Sequence, residues 1–149
     1  MAKLSEQPED DSQALKTYVK LMRAAAGVTE RMHKHLMPEK LTLSQFGVLE
    51  ALYHLGPLCQ QDIGKKILKT SGNMTTVIDN LEKRGLVVRA QDPSDRRFKR
   101  VRLTAQGENL IKKIFPRHIE IAEHVFSTLS PQERTQLSVL LKRLGTADG

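Results

Sequence analysis

The sequence is poor in cysteine and in aromatic residues: its 149 residues include one cysteine, no tryptophan and only 4% aromatics. A single cysteine excludes an internal disulfide framework and a metal site made of four thiolates. With so few aromatic side chains, the core must be built from Leu, Ile, Val, Met and Ala, which pack well between helices. We therefore expect a mainly α-helical protein in a reducing, intracellular compartment.

Long apolar runs are also missing. No stretch approaches the roughly 20 apolar residues that a membrane span requires, and residues 1–13 lack the apolar centre of a signal peptide. We expect a cytoplasmic protein without a membrane partner.

Residues for metal binding or covalent catalysis do not cluster. The histidines include no pair at the helical i, i+4 spacing, and neither an H-E-x-x-H motif nor a Cys-His cluster occurs. Ser, His and Asp residues are present but scattered, with no arrangement that would activate a nucleophile. The sequence predicts no metal site, no cofactor and no enzymatic activity.

Positive charge is in excess and lies mainly in the middle of the chain. The net charge is +7. Between Pro57 and Thr104 there are eleven Lys and Arg against five Asp and Glu, whereas the rest of the chain is nearly balanced. A localised positive field is typical of a surface that meets phosphate groups, although a surface that binds acidic lipids would share it.

A stripe of apolar residues at spacings of three and four predicts a long first helix, from Ser12 as its N-cap to Leu36, ended by Pro38. At 1.5 Å per residue this helix would be roughly 37 Å long, more than a small domain can cover with its own chain. We expect part of the stripe to face a second subunit. Its members are Leu15, Tyr18, Met22, Ala25, Thr29, Met32 and Leu36.

Capping signals mark the starts of further helices. Thr42 and Gln45 have the spacing of a capping box, as do Ser130 and Glu133 before the last helix. Thr104 is the predicted cap of a long helix between them.

A short helix after Cys59 is followed closely by another helix, which Thr70 would cap and Gly85 would end. Two helices joined by a tight turn are typical of a helix-turn-helix. From Leu86 the apolar period changes from 3.6 to 2, which predicts two short antiparallel strands joined by a basic loop from Asp92 to Phe98. A hairpin in this place is a wing, able to follow a DNA duplex while the preceding helix occupies the major groove.

The second helix of the pair has an outer face of small, hydrogen-bonding side chains. With Met74, Val77, Ile78 and Leu81 turned inward, the outward residues are Ser71, Gly72, Asn73, Thr75, Thr76, Asp79, Asn80 and Lys83. Ser, Thr and Asn can bond to phosphates or base edges, and glycine permits close approach of the backbone. An ordinary solvated helix would more commonly carry Glu and Lys, so a DNA-reading helix is the favoured interpretation.

Five segments carry a resemblance to a known family: LTLSQFGVLEAL, the GPL before the short helix, TSGNMTTVIDNLEKRGLVVR, DPSDRRFKRVRLTAQG and the lead-in LSPQER. Together they resemble the MarR family of winged-helix transcriptional regulators, over about Thr17 to Leu144. The run from Asn80 to Gly107 is the most specific part.

The resemblance implies a single MarR-type domain over residues 1–149, with a winged helix-turn-helix at 41–104 and dimerisation helices at about 12–40 and 105–145. It implies an obligate homodimer that binds pseudo-palindromic double-stranded DNA, usually as a repressor. Release by a phenolic or other lipophilic ligand, or by thiol oxidation, is common in the family.

The family's wing motif matches Asp95, Arg96 and Arg97 of this sequence. The resemblance implies that Asp95 orients an arginine that enters the minor groove, with Arg97 as the first choice and Arg96 as the second. The whole expected DNA-binding set is Ser71, Gly72, Asn73, Thr75, Thr76, Asn80, Arg96, Arg97 and Lys99.

Three alternatives stay open. Cys59 at a helix N-cap could be a reactive thiol and make the protein a redox sensor, although an inert cap residue is the default. His33, Tyr53 and His54 could line an effector pocket, or serve only in packing. A winged helix that binds a protein partner instead of DNA would show little response to salt.

Overall fold

The structure is a computed structural model that describes residues 9–67 and 71–146. Its helices are α1 (Glu9–His33), α2 (Leu43–Leu55), α3 (Gln60–Ile67), α4 (Ser71–Lys83), α5 (Ala105–Val125) and α6 (Pro131–Thr146). Its strands are β1 (Leu58–Cys59), β2 (Val87–Gln91) and β3 (Lys99–Leu103), and short 3₁₀ helices cover Lys34–Glu39 and Phe126–Thr128. The predicted mainly helical winged-helix fold is confirmed, with one strand more than expected.

The chain divides into two compact units. The first contains the chain up to Met32 and from Val125 onward, and so includes most of α1 and all of α6. The second, His33–His124, contains α2 to α4, the three strands and nearly all of α5. Over the described residues, no helix combines the length and apolar character needed to span a membrane.

The first helix differs from the prediction at both ends. Ser12 lies inside α1, so its assignment as the N-cap is wrong. The α-helix ends at His33, and the chain continues as a 3₁₀ helix that includes Pro38. Lys40 then turns the chain with a left-handed backbone (φ 55°). A proline can lie within such a short, tight segment because few backbone N–H donors there have an intrahelical partner.

The later caps are confirmed. The Thr42 hydroxyl accepts from the Gln45 N–H and the Gln45 side chain accepts from the Thr42 N–H, both at 3.0 Å. Ser130 and Glu133 make the same reciprocal pair. These hydrogen bonds satisfy N–H groups that the first turn of a helix leaves without partners. The predicted cap at Thr70 lies outside the described residues.

The aliphatic core lies in the second unit and joins α2, α3, α4, the sheet and α5. Leu36 of the 3₁₀ segment also enters it. The fully or almost fully buried residues are Leu36, Leu41, Phe46, Val48, Leu49, Leu52, Ile63, Met74, Ile78, Leu81, Leu86, Val87, Val101, Ile111 and Ile114. One aromatic ring in this set agrees with the core composition expected from the sequence.

The sheet has a third strand that the sequence did not predict. Its order is β1-β3-β2, and Leu58 and Cys59 of β1 pair with Val101 and Arg100 of β3. A two-residue strand is too short to show the alternation by which strands are recognised in a sequence. Because of this pairing, α3 begins directly beside the wing.

The start of α5 closes the base of the wing through contacts that leave no room for a side chain at Gly107. The Thr104 hydroxyl donates to the Gly85 carbonyl (2.6 Å) and accepts from the Gly107 N–H (3.0 Å), which confirms the predicted cap. A Cβ atom at Gly107 would lie 2.0 Å from the carbonyl oxygen of Leu86. Gly85 itself has φ of 73°, a conformation that glycine adopts without strain.

The first unit leaves large apolar side chains exposed in a single chain. On α1 and α6 these are Leu15, Tyr18, Val19, Met22, Val139, Leu140, Leu141 and Leu144, each more than 40% exposed. Apolar side chains repeated on one helix are normally covered. The expected contact with a second subunit would cover them.

We predict that Gly107→Ala lowers the free energy of unfolding by about 1 to 3 kcal/mol, because the new methyl group collides with backbone that cannot move freely. Gly145→Ala is the matched control, since a Cβ atom there would meet nothing within 4 Å. It should be neutral or slightly stabilising, as alanine is the better helix former. Urea unfolding at equal protein concentration measures both, and equal stability of the two variants would contradict the prediction.

Candidate nucleic-acid interface

Helix α4 has one fully buried face and one polar face. Met74, Ile78 and Leu81 have no exposed surface, and Val77 packs partly buried against the same core. The predicted contact residues Asn73, Thr75, Thr76 and Asn80 are exposed, and Ser71 and Gly72 begin the helix. The structure therefore presents the side chains of Asn73, Thr75, Thr76 and Asn80 on the exposed side of the helix.

Helix α3 contacts α4 through a hydrogen bond between polar side chains. The Gln60 amide donates to the Thr75 hydroxyl at 2.6 Å. Gln60 is the first residue of α3, next to β1. This bond connects one expected DNA contact, Thr75, to the helix that supports it.

The wing is a regular antiparallel ribbon. Its register runs from Val87 opposite Leu103 to Gln91 opposite Lys99. Val87 and Val101 are buried, and the period of two places Arg100 and Arg102 on the opposite face, exposed. The basic side chains are thus displayed along a ribbon that the core anchors.

The tip of the wing is ordered by Asp92. Its carboxylate accepts from the N–H (2.9 Å) and the hydroxyl (2.7 Å) of Ser94, and from Arg100 Nε (3.1 Å). These contacts, with the Ser94 N–H first, hold the pKa of Asp92 below its usual value. The Gln91 amide also donates to the Arg96 carbonyl at 2.8 Å. The tip is therefore held in place by hydrogen bonds within the protein.

Asp95 holds the side chain of Arg97. Its Oδ1 accepts from the Arg97 N–H (3.0 Å) and Nε (3.1 Å), and its Oδ2 accepts from Nη2 (3.0 Å). The Arg97 side chain remains 84% exposed. Hydrogen bonds from Arg97 lower the pKa of Asp95, so the pair is charged at neutral pH. Of the two candidate arginines, Arg97 has the fixed guanidinium.

Arg96 and Lys99 are placed differently. Arg96 is exposed at the tip, where its carbonyl is bound by Gln91. Lys99 is exposed at the first position of β3. Both charges therefore lie on the same wing as Arg97.

Sequence reasoning missed Arg89. Its Nη1 lies 2.6 Å from Asp79 Oδ1 and 3.2 Å from Glu82 Oε1, and its side chain is 19% exposed. Two acids on a helix that faces phosphates would repel them unless a cation lies nearby. The need for a cation near these two acids could have identified Arg89 as their partner. Arg89 also lies on the same strand face as buried Val87, which directs its side chain inward.

The residues proposed for an effector pocket are only partly brought together. His54 lines a cavity of about 320 Å³, which is bounded by Gly47, Glu50, Ala51, His54, Leu55, Lys66 and Ile67. The Tyr53 ring contacts the His54 ring edge-on, with centroids 5.2 Å apart, but Tyr53 does not line this cavity. His33 ends α1 and does not line it either. An effector role for these residues stays a prediction.

Two other histidines contact each other. His118 Nδ1 lies 2.9 Å from His35 Nε2, and the His118 ring packs on Phe46 with centroids 4.2 Å apart. Burial, with the neighbouring His35, lowers the pKa of His118 to about 4. His118 is therefore neutral at neutral pH and belongs to the packing of the core edge.

Cys59 is half-buried, and its thiol donates to Asp62 Oδ2 at 3.1 Å. It belongs to a cleft of about 320 Å³ beside the wing, together with Gln60, Gln61, Arg89, Arg97, Phe98, Lys99 and Val101. A redox role for Cys59 stays a prediction. Over the described residues, no three His, Cys, Asp or Glu side chains are grouped so as to hold a metal ion.

Comparisons with known proteins agree with this geometry. The sequence model of the MarR family matches residues 41–99. The HTH-type transcriptional regulator YkoM of Bacillus subtilis is 41% identical over 145 residues, which are 97% of this chain and 94% of that protein. The HTH-type transcriptional regulator MhqR of the same organism is 39% identical over 132 residues, 89% of this chain and 91% of that protein.

A solved structure is similar over the whole chain. It is that of Bordetella bronchiseptica BpsR, whose DNA binding is regulated by 6-hydroxynicotinic acid. It superposes with a TM-score of 0.80 at 30% identity, over 99% of both chains.

We predict that the Asp95 carboxyl titrates below its ordinary value of 3.8, and that Arg97→Ala moves the midpoint back toward that value. Because the folded pKa is the lower one, the stabilisation from this pair is present above 3.8 and is lost as the pH falls through the folded pKa. Carboxyl NMR measures the midpoints. Glu133, whose pKa is lowered by Ser130 instead, is the control and should not change. An Asp95 midpoint unaffected by Arg97→Ala would contradict the assignment.

Proposed function

We propose a function for this chain on the premise that it belongs to the MarR family. It is a winged helix-turn-helix transcriptional regulator, and we propose that it acts as a homodimeric repressor in the cytoplasm. The polar face of α4 would read the major groove, while Arg97 at the wing tip would enter the minor groove. We do not assign it an enzymatic activity, since its named relatives are regulators.

One observation carries this proposal: Asp95 holds a largely exposed arginine on the wing that follows a helix whose exposed side chains are small and hydrogen-bonding. A free arginine would lose rotamer freedom of about 2 kcal/mol on docking. Pairing with Asp95 removes part of this loss before DNA arrives. A wing that bound an apolar protein surface would gain nothing from exposed, oriented cations.

The dimer follows from the exposed apolar residues of α1 and α6. We propose that residues 12–40 and 105–145 supply the dimer contacts and that residues 41–104 bind DNA. Two identical subunits then present two α4 helices, so the DNA site should have two inverted half-sites.

Release by a small molecule is proposed by analogy and by the cavity at His54. DNA binding by BpsR is regulated by 6-hydroxynicotinic acid. The cavity here combines apolar residues with Glu50, His54 and Lys66, a mixture that suits an aromatic ligand with a polar substituent.

We predict that selection from a random pool of duplexes recovers two inverted half-sites with centres roughly 34 to 36 Å apart. Affinity should fall linearly with salt on logarithmic axes, because binding releases counterions from the phosphates. Fluorescence anisotropy at several salt concentrations measures this. Equal binding to an isolated half-site would contradict the paired arrangement of two subunits. No response to salt would favour a protein-binding module.

We predict that Arg97→Ala reduces operator binding by about 1 to 3 kcal/mol, the range for one specific arginine contact. Arg117→Ala is the matched control, since it removes the same charge from an exposed side chain of α5 that pairs with Glu120. Because Arg117 lies in the proposed dimerisation region, sedimentation verifies the dimer, and that dimer should bind the operator normally. A larger loss for Arg96→Ala than for Arg97→Ala would reverse the assignment between the two arginines.

A further inference from the structure

The Arg89 side chain connects the wing to helix α4. Besides its contacts with Asp79 and Glu82 of α4, its backbone N–H donates to Glu82 Oε2 at 3.1 Å. One carboxylate, that of Glu82, therefore binds both the backbone and the guanidinium of the same β2 residue. We call Arg89, Asp79 and Glu82 the helix–wing bracket.

The bracket extends toward α3. Arg89 Nη2 lies 3.5 Å from both Gln60 Oε1 and the Thr75 carbonyl. Gln60 in turn donates to the Thr75 hydroxyl. A single guanidinium, carried by β2, thus faces groups from both helices of the helix-turn-helix.

We propose that Arg89 is a positioning residue that sets the distance and angle between α4 and the wing, so that both reach their grooves at the same time. This inference rests on the proposed function. It assigns to Arg89 no contact with DNA: the side chain is 19% exposed and both terminal nitrogens face protein oxygens, whereas the Arg97 side chain is 84% exposed.

The strand geometry explains why this position can act as a bracket. Arg89 lies opposite Val101 in the ribbon, on the face that also carries buried Val87. Side chains two residues apart on a strand share a face, so the ribbon directs Arg89 inward and Arg100 outward. A displacement of β2 relative to α4 would separate charges that are now in contact.

Arginine suits this role better than lysine. Its planar guanidinium can bond to several carboxylate and carbonyl oxygens in fixed directions, whereas an ammonium group is a compact charge without that geometry. Neutralising Asp79 and Glu82 is a second consequence, because both acids lie on the helix that is proposed to approach phosphates.

The discriminating variant carries Asp79→Asn and Glu82→Gln together. It breaks the bracket from the helix side and leaves every wing arginine in place. If Arg89 positions the wing, operator affinity falls by about tenfold, the size of a lost charge-assisted hydrogen bond. If the acids only repel DNA or hold back a DNA-binding arginine, removing two negative charges raises affinity. The two explanations predict opposite signs.

The control carries Glu108→Gln and Glu120→Gln, which remove two acids of α5 that pair with Lys112 and Arg117. It has the same change in net charge and an intact bracket. Both acids lie in the proposed dimerisation region, so sedimentation first verifies that the variant is still a dimer. The operator affinity of that dimer should then be unchanged or slightly higher. Circular dichroism on each variant verifies the fold.

A double-mutant cycle tests the mechanism. Arg89→Gln should lower operator affinity by about tenfold in the wild-type background. In the Arg97→Ala background it should lower affinity by less than about threefold, because the contact of Arg97 with DNA has already been removed and displacement of the wing cannot remove it again. Arg89→Lys should recover only part of the loss. Additive effects of Arg89→Gln and Arg97→Ala would show an independent contact with DNA and would overturn the proposal.

The outcomes separate this inference from the proposed function. A wild-type protein that binds no selected duplex would refute the regulator itself. A wild-type protein that binds, with an Asp79→Asn, Glu82→Gln variant that binds equally well or more tightly, would refute only the positioning role of Arg89.

Discussion

The DNA-facing surface depends on the burial of one narrow face of α4. A helix of 13 residues is marginal on its own in water, and the outer side chains of α4 are too small to stabilise it. Its position is set by Met74, Ile78 and Leu81, which have no exposed surface. Their burial leaves the other side of the helix free to carry hydrogen-bonding groups. Packing and recognition therefore use opposite faces of the same helix.

Paired charges fix the cations of the wing that follows this helix. Asp95 holds Arg97 pointing outward and Asp92 holds Arg100 on the ribbon, while Asp79 and Glu82 hold Arg89 inward. The pairs of the exposed Arg97 and Arg100 side chains add little to stability. Their effect is to restrict long, flexible side chains before a ligand arrives. The acidic residues in this basic region thus hold the arginine side chains in defined positions.

Local features were predictable because their causes lie within a few residues. The capping boxes at Thr42 and Ser130 and the wing strands followed from spacing and periodicity. The prediction of Ser12 as the first N-cap was wrong because Ser12 lies within a helix that begins earlier, at Glu9. The polar residues in this segment can continue a helix as readily as they can start one. The two-residue strand β1 was not predicted because it is defined entirely by its pairing with β3. Its sequence alone carries no strand pattern.

The sequence by itself determined the order of the elements, most of the helix starts, the basic wing and the resemblance to a family. That resemblance also implied the pairing of Asp95 with Arg97, which are two residues apart. Tertiary structure alone decided which distant groups meet: Gln60 with Thr75, Arg84 with the Lys40 carbonyl, and His35 with His118, at separations of 15, 44 and 83 residues. Such contacts arise from how helices and strands pack against a common core, and the distance along the chain carries no record of that packing.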